Sequence, residues 1–229
     1  INENNNLITL LPEELFCKDL NGKTKLRRAP NAPRYIHLDL STSGECDTGI
    51  SMVHKEYIIN EVTGGKTPIY VADFVIYVTA KNEIDLDAIK KFCIDLVIEK
   101  NIPIETISCD QYQSALISQM WKSSGVFKEV RQLSVDRNPE TFTSAATLIA
   151  TGRLKVGRCE KLKRELESLV MQNGKVEKTT ELKDMCDALV GSVYLAQTNY
   201  KDVPMYSYLE KANTNTNKSS KYEINERNI

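Results

Sequence analysis

Four aspartates stand out by position: Asp39, Asp110, Asp184 and Asp187. Asp39 lies in "RYIHLDLSTSGECDTGISMVH", where Ile36, Leu38 and Leu40 alternate like one buried face of a strand. A carboxylate inside such a run is costly unless something compensates its charge. Asp110 closes the strand-like run "IPIETISCD". Asp184 and Asp187, three apart in "KDMCDALVG", share one face of a helix. If the strands carrying Asp39 and Asp110 are parallel neighbours, both carboxylates meet at the carboxyl end of a sheet, where α/β proteins build their ligand sites. Converging carboxylates repel one another, and a hard divalent cation removes that penalty. Mg2+ and Mn2+ prefer oxygen ligands. A pair of such ions, about 3.5–4 Å apart, activates water and stabilises the leaving oxygen in phosphodiester cleavage. The plainer alternatives are structural. Asp110 would cap the following helix, and Asp184 or Asp187 would be a solvated helix residue. Asp39 fits neither, because its neighbours on both sides are apolar.

The elements that must position these groups follow from periodicity. Strands are expected over "YIHLDLS", "TGISMVHKEYII" and "IYVADFVIYVTA", with "NEVTGGKTP" as the turn between the last two. Short connections make this an antiparallel meander. A helix over "DLDAIKKFCIDLVIEKN", a strand over "IPIETISCD" and a helix over "QYQSALISQMWKSSG" stopping at Gly125 come next. A strand over "FKEVRQLSVD" and a helix over "NPETFTSAATLIATGRL" follow. "CEKLKRELESLVMQNG" reads as one amphipathic helix with Leu162, Leu166, Leu169 and Val170 on its stripe. "KVEKTTE" reads as an exposed strand or hairpin, and "LKDMCDALVGSVYLAQ" as a last helix. The order predicts an α/β fold: one mixed sheet, three antiparallel strands then parallel ones, flanked by helices. Residues 1–33 read as an N-terminal extension or interdomain linker, 34–204 as the folded domain, and 205–229 as a polar tail.

Composition supports a globular domain: 41% hydrophobic, 27% charged, net charge -1. No apolar run approaches the ~20 residues that span a bilayer, so no membrane association is expected. Six cysteines, with no C-x-x-C pair, predict free thiols in a reducing compartment rather than a zinc site. "TGGKT" at 63–67 resembles a phosphate-binding loop, but that pattern needs Gly at 60, where Asn60 stands, and strand residues follow; it reads as a hairpin turn. His37 and His54 lack a nucleophile in a recognisable setting and read as packed or surface residues. Asp73 reads as a solvent-facing strand residue, and Asp136–Arg137 as a structural pair. Lys66, Lys155, Arg158, Lys175, Lys178 and Lys183 are the candidate phosphate contacts.

The pieces "RYIHLDLSTSGECDTGISMVH", "TISCDQYQSALISQMWKSSG", "LSVDR", "ATGRL", "LKRELESL" and "KDMCDALVGSVY" occur in the order seen in the C-terminal nuclease domain of phage large terminases. Each fragment is weakly specific; their order and spacing are strongly so. Over residues 34–200 the chain thus resembles that family, which is ribonuclease H-like in fold. The resemblance implies a metal-dependent endonuclease that cuts concatemeric double-stranded DNA during genome packaging, with two Mg2+ or Mn2+ ions. Asp39 matches the first-strand catalytic aspartate and Asp110 the second carboxylate. The third falls in "KDMCD", where family members vary between an adjacent acidic pair and a pair three apart. Asp184 and Asp187 both stay open, with a lean to Asp184. Asp47 resembles an accessory acidic position. The resemblance further implies an upstream ATPase domain, portal protein and small terminase subunit as partners, and action in the host cytoplasm. Two rival readings are a non-catalytic DNA-binding or assembly module of the packaging motor, and a ribonuclease H-like nuclease acting on junctions or RNA–DNA hybrids.

Overall fold

The computed structural model describes residues 15–41, 47–60, 62–79, 83–110, 115–137, 139–172, 175–178 and 182–198. The side chains of 115, 171, 172, 175, 177 and 178 lie outside the description. Residues 1–197 form one unit and 198–229 a second, of which only Thr198 is described.

The meander forms as expected: β3 (Arg34–Asp39), β4 (Thr48–Ile59) and β5 (Lys66–Val78) pair antiparallel in sequence order. The turn joining β4 and β5 closes where Asn60 accepts the Gly64 N–H on its backbone oxygen and the Val62 N–H on its side chain. That bonding makes "TGGKT" a hairpin turn. Next, β6 (Ile104–Cys109) lies parallel to β3, and β7 (Glu129–Gln132) lies parallel to β6. A short strand that periodicity does not disclose, β8 (Leu154–Lys155), adds parallel to β5. The sheet order is β7-β6-β3-β4-β5-β8, the mixed, antiparallel-then-parallel sheet read from the sequence.

Both faces of this sheet are covered. Ile36 and Leu38 join Ile50, Met52, Phe74 and Ile107 in one core. It is roofed by α1 (Leu86–Ile98) through Ile89, Cys93 and Leu96, and by α2 (Ala115–Ser124) through Ile117 and Trp121. Tyr35 and Val53 belong to the opposite core, under α3 (Pro139–Ala150), α4 (Glu160–Glu167) and α5 (Asp184–Gln197). Side chains alternate along a strand. Asp39 therefore projects with Tyr35 and His37 toward the second set of helices, not with Ile36 and Leu38.

Three boundaries differ from the periodic reading. The helix expected over "NPETFTSAATLIATGRL" ends at Ala150, because Arg153 N–H bonds the Leu148 carbonyl and Gly152 N–H the Ile149 carbonyl, a helix-ending pair of hydrogen bonds that releases the chain into β8. The helix expected over "CEKLKRELESLVMQNG" stops at Glu167. Ser168 turns its hydroxyl onto the Glu165 carbonyl, and Leu169–Gln172 becomes β9, paired antiparallel with β10 (Lys175–Lys178). Leu169 and Val170 fit a helical stripe and a strand equally well, and the Asn173–Gly174 hairpin signature in the sequence decides for the strand. Upstream of residue 34, β1 (Phe16–Lys18) and β2 (Thr24–Leu26) form a small hairpin that buries Leu26 in the first core. No helix among the described residues is long and apolar enough to cross a membrane.

Candidate active site

The site grows from the match of a strand to a helix. Successive residues on one face of β3 are two apart, about 6.6 Å. Four residues of α5 rise about 6 Å. The His37 imidazole packs against Gly191, where a Cβ would stand 2.1 Å from the ring. Four residues earlier on α5 is Asp187; two residues later on β3 is Asp39. The helix thus runs back along the strand and delivers its amino end to the strand's carboxyl end. Gly49, paired with Asp39 across the sheet, makes this approach possible: a Cβ there would sit 1.9 Å from the Asp184 carbonyl oxygen.

Four carboxylates meet at that end. Leu38 pairs with Cys109, so Asp39 and Asp110 leave parallel neighbouring strands side by side. The Asp39 carboxyl is held well above the usual range, first by burial, then by the charges of Asp187, Asp184 and Asp110, with Lys183 opposing. Asp187, buried, is pushed up to about 7 by burial, while Lys183 pulls it down and Asp136 and Asp184 push it further up. Its Oδ2 accepts from Lys183 Nζ at 2.5 Å; its Oδ1 is buried with no hydrogen-bond partner. Lys183 also pairs with Asp136, and its ammonium stays charged, the two aspartates outweighing burial. Asp110 Oδ2 accepts from Ser134 Oγ at 3.3 Å.

The donor set consists of hard oxygens with too little positive charge around them, which suits Mg2+ or Mn2+. The unmatched Asp187 Oδ1 is the group such an ion would satisfy. As the side chains stand, no three His, Cys, Asp or Glu residues among those described enclose an ion. Lys183 takes one oxygen of Asp187 instead.

Other singled-out residues fall in different places. Asp47, entering β4, pairs with Lys161 of α4, whose Nζ lies 3.9 Å over the Tyr77 ring. His37 is buried, its Nδ1 at 2.7 Å from Ser108 Oγ, and burial pushes its pKa down to about 3, so it packs as a neutral ring. Asp73 is not solvent-facing: its side chain is 2% exposed and pairs with Arg34 at 3.2 Å and His54 at 2.9 Å. The N-terminal residues 28–32 supply the reason, since their carbonyls close over the Arg34 guanidinium. This network sits at the opposite end of β3 from Asp39. Asp136 pairs with Lys183, so "SVDR" does not act as an isolated pair. Lys66 opens β5 opposite Ile59, ten residues along β4 from Gly49, or about 34 Å. Lys155 lies on edge strand β8, and Arg158 is exposed and paired with Glu160. Of the candidate cations whose side chains are described, Lys183 alone is brought to the carboxylates. The side chains of Lys175 and Lys178 lie outside the described residues. The described cysteines, Cys17, Cys93, Cys109, Cys159 and Cys186, are free thiols; Cys46 lies outside the description.

Sequence reasoning overlooks Glu165. It is 1% exposed in α4, its Oε2 accepts the Cys186 N–H at 2.9 Å, and burial pushes it up to about 7, with that N–H opposing and Asp184 reinforcing. The available signal was its place three residues after Leu162 and four before Leu169, on the apolar stripe itself. Gly49 and Gly191, each inside a regular element, carried a similar signal of close approach.

No protein-family model matches the sequence, and no curated protein matches it. Solved structures do. The HK97 bacteriophage large terminase superposes with a TM-score of 0.51 at 12% identity over 71% of this chain, which spans 39% of that protein's length. The large terminase nuclease of thermophilic phage G20c, a structure with bound magnesium, superposes with a TM-score of 0.50 at 11% identity, covering 72% of this chain and 82% of that one. At these identities the likeness is one of fold: this chain shares the fold of those two terminase structures.

Proposed function

We propose that the chain is the nuclease domain of a viral large terminase, a metal-dependent endodeoxyribonuclease that cuts concatemeric double-stranded DNA during packaging. The observation that carries this reading is the convergence of Asp39, Asp110, Asp184 and Asp187, felt as three like charges around the carboxyl of half-buried Asp39. A pure DNA-binding face gains nothing from carboxylates aimed at phosphates. The fold it shares with the HK97 and G20c proteins agrees with it.

Asp39 would be the central ligand of two Mg2+ or Mn2+ ions, flanked by Asp110 on one side and by Asp187 and Asp184 on the other. Asp187 weighs more on Asp39 than Asp184 does, and it is the more deeply buried of the two. When bound, such ions supply a water of lowered pKa and a counter-charge for the departing 3′ oxygen. Ser134 orients Asp110 through its hydroxyl. Lys183 holds Asp187 by one oxygen and leaves the other buried without a hydrogen-bond partner. By the same reading, an upstream ATPase domain, the portal protein and the small terminase subunit are the partners, in the host cytoplasm.

The test is cleavage of supercoiled plasmid with Mg2+, Mn2+ or EDTA, beside a Holliday junction and an RNA–DNA hybrid. Metal-dependent nicking of the plasmid by the wild type, abolished in Asp39→Asn, is the expected result. Full activity in EDTA or in Asp39→Asn refutes the reading, and preference for junction or hybrid reassigns the substrate.

A further inference from the structure

The amino end of α5 is closed in an unusual way. Lys183 is its N-cap, since the Lys183 carbonyl accepts the Asp187 N–H. An N-cap side chain ordinarily accepts a backbone N–H two or three positions on, which is why Ser, Thr, Asp and Asn are favoured there. Lysine has no acceptor, and this one is engaged with Asp187 and Asp136. Of the first-turn N–H groups left open, one is that of Cys186, the third helical residue. It is met from another helix, by Glu165 Oε2 at 2.9 Å. Glu165 is 1% exposed, and its Oε1 is buried without a hydrogen-bond partner. One turn earlier on the same face of α4, Lys161 pairs with Asp47. The helix α4 therefore touches the site's surroundings at two points, one on β4 and one on α5.

We propose that Glu165 is a positioning residue of the metal site: it caps α5 from outside and thereby fixes Asp184 and Asp187 against Asp39. This rests on the metal-site reading above. The arrangement leaves the N-cap position free for a lysine, whose ammonium steadies Asp187. A serine or aspartate in its place would cap the helix and lose that contact. Glu165 accepts from the backbone between the two aspartates it positions, while Gly49 lets that backbone lie on the sheet.

The experiment measures Mn2+ binding calorimetrically and amide hydrogen exchange at Cys186 in the full chain, for wild type, Glu165→Gln, Glu165→Ala and Glu165→Met. A glutamine carbonyl accepts the same N–H, so Glu165→Gln should keep Cys186 protected and bind Mn2+ within about threefold of wild type. Alanine and methionine accept nothing, so they should expose the Cys186 amide and weaken Mn2+ binding about tenfold or more. Methionine fills the glutamate's space and keeps the comparison meaningful if the alanine variant does not fold. Unchanged affinity and protection in Glu165→Met overturns the proposal. Equal loss of affinity in Glu165→Gln and Glu165→Met also overturns it, because the carboxylate would then be acting by its charge or as a ligand. If the wild type neither binds Mn2+ nor cuts DNA, the metal-site reading fails. The exchange contrast at Cys186 then still decides whether Glu165 caps α5.

Discussion

Asp187→Asn should stabilise the metal-free protein in mildly alkaline solution while removing a ligand. The Asp187 carboxyl goes from 3.8 in the unfolded chain to about 7 in the fold, despite its contact with Lys183. A carboxyl raised in this way contributes stability that is fully present below about pH 4 and is lost as the pH climbs through 7. The two values lie about three pH units apart, and each unit is worth about 1.4 kcal/mol. At about pH 8 the ionised group thus costs the fold on the order of 4 kcal/mol. Asparagine mimics the neutral acid, and Lys183 is not stranded, because Asp136 remains as its partner. Allowing for the lost ammonium contact, a gain of roughly 2–4 kcal/mol is expected. For a chain of this size that raises Tm by roughly 4–16 °C. Thermal denaturation in EDTA at about pH 8 and about pH 4.5 measures it: the variant should gain at the higher pH and not at the lower. A variant destabilised equally at both would show that the fold does not penalise this charge, and the argument for a cation there would lose its footing.

Further outcomes follow from individual contacts. Gly49→Ala pushes a Cβ into the Asp184 carbonyl; it should cost about 1–3 kcal/mol and weaken Mn2+ binding, measured by denaturation and calorimetry. Asp73→Ala strands the fully buried Arg34 and should cost on the order of 3–5 kcal/mol, with Mn2+ affinity unchanged because the pair lies at the far end of β3. Cys93 and Cys186, fully buried thiols whose pKa burial pushes up, should react with a thiol reagent only after denaturant is added.

Much of this was legible from single residues. Asp39 read as misplaced among Ile36, Leu38 and Leu40, and the alternation that made it so also assigned it to the opposite face, with His37. The meeting of Asp39 and Asp110 was conditional on their strands being parallel neighbours, and the pairing of β3 with β6 supplies that condition. What stayed hidden depends on three-dimensional neighbours. Asp73 looked solvent-facing because nothing in its strand shows that residues 28–32 and Arg34 will close over it. Leu169 and Val170 satisfy a helix and a strand equally, so β9 could not be separated from α4 by period alone. Lys183 read as a candidate phosphate contact, because its two acidic partners come from "SVDR", 47 residues upstream, and from its own helix. Glu165 was masked by the charged face of α4 around it.

The position of a bound divalent ion decides most directly whether Asp39 is a metal ligand. Anomalous diffraction from a crystal soaked in Mn2+ locates it without reference to activity. The predicted result is manganese about 2.1 Å from an Asp39 oxygen, with further ligands from Asp110 and from Asp187 or Asp184. Manganese bound elsewhere, with Asp39 left uncoordinated, would contradict it.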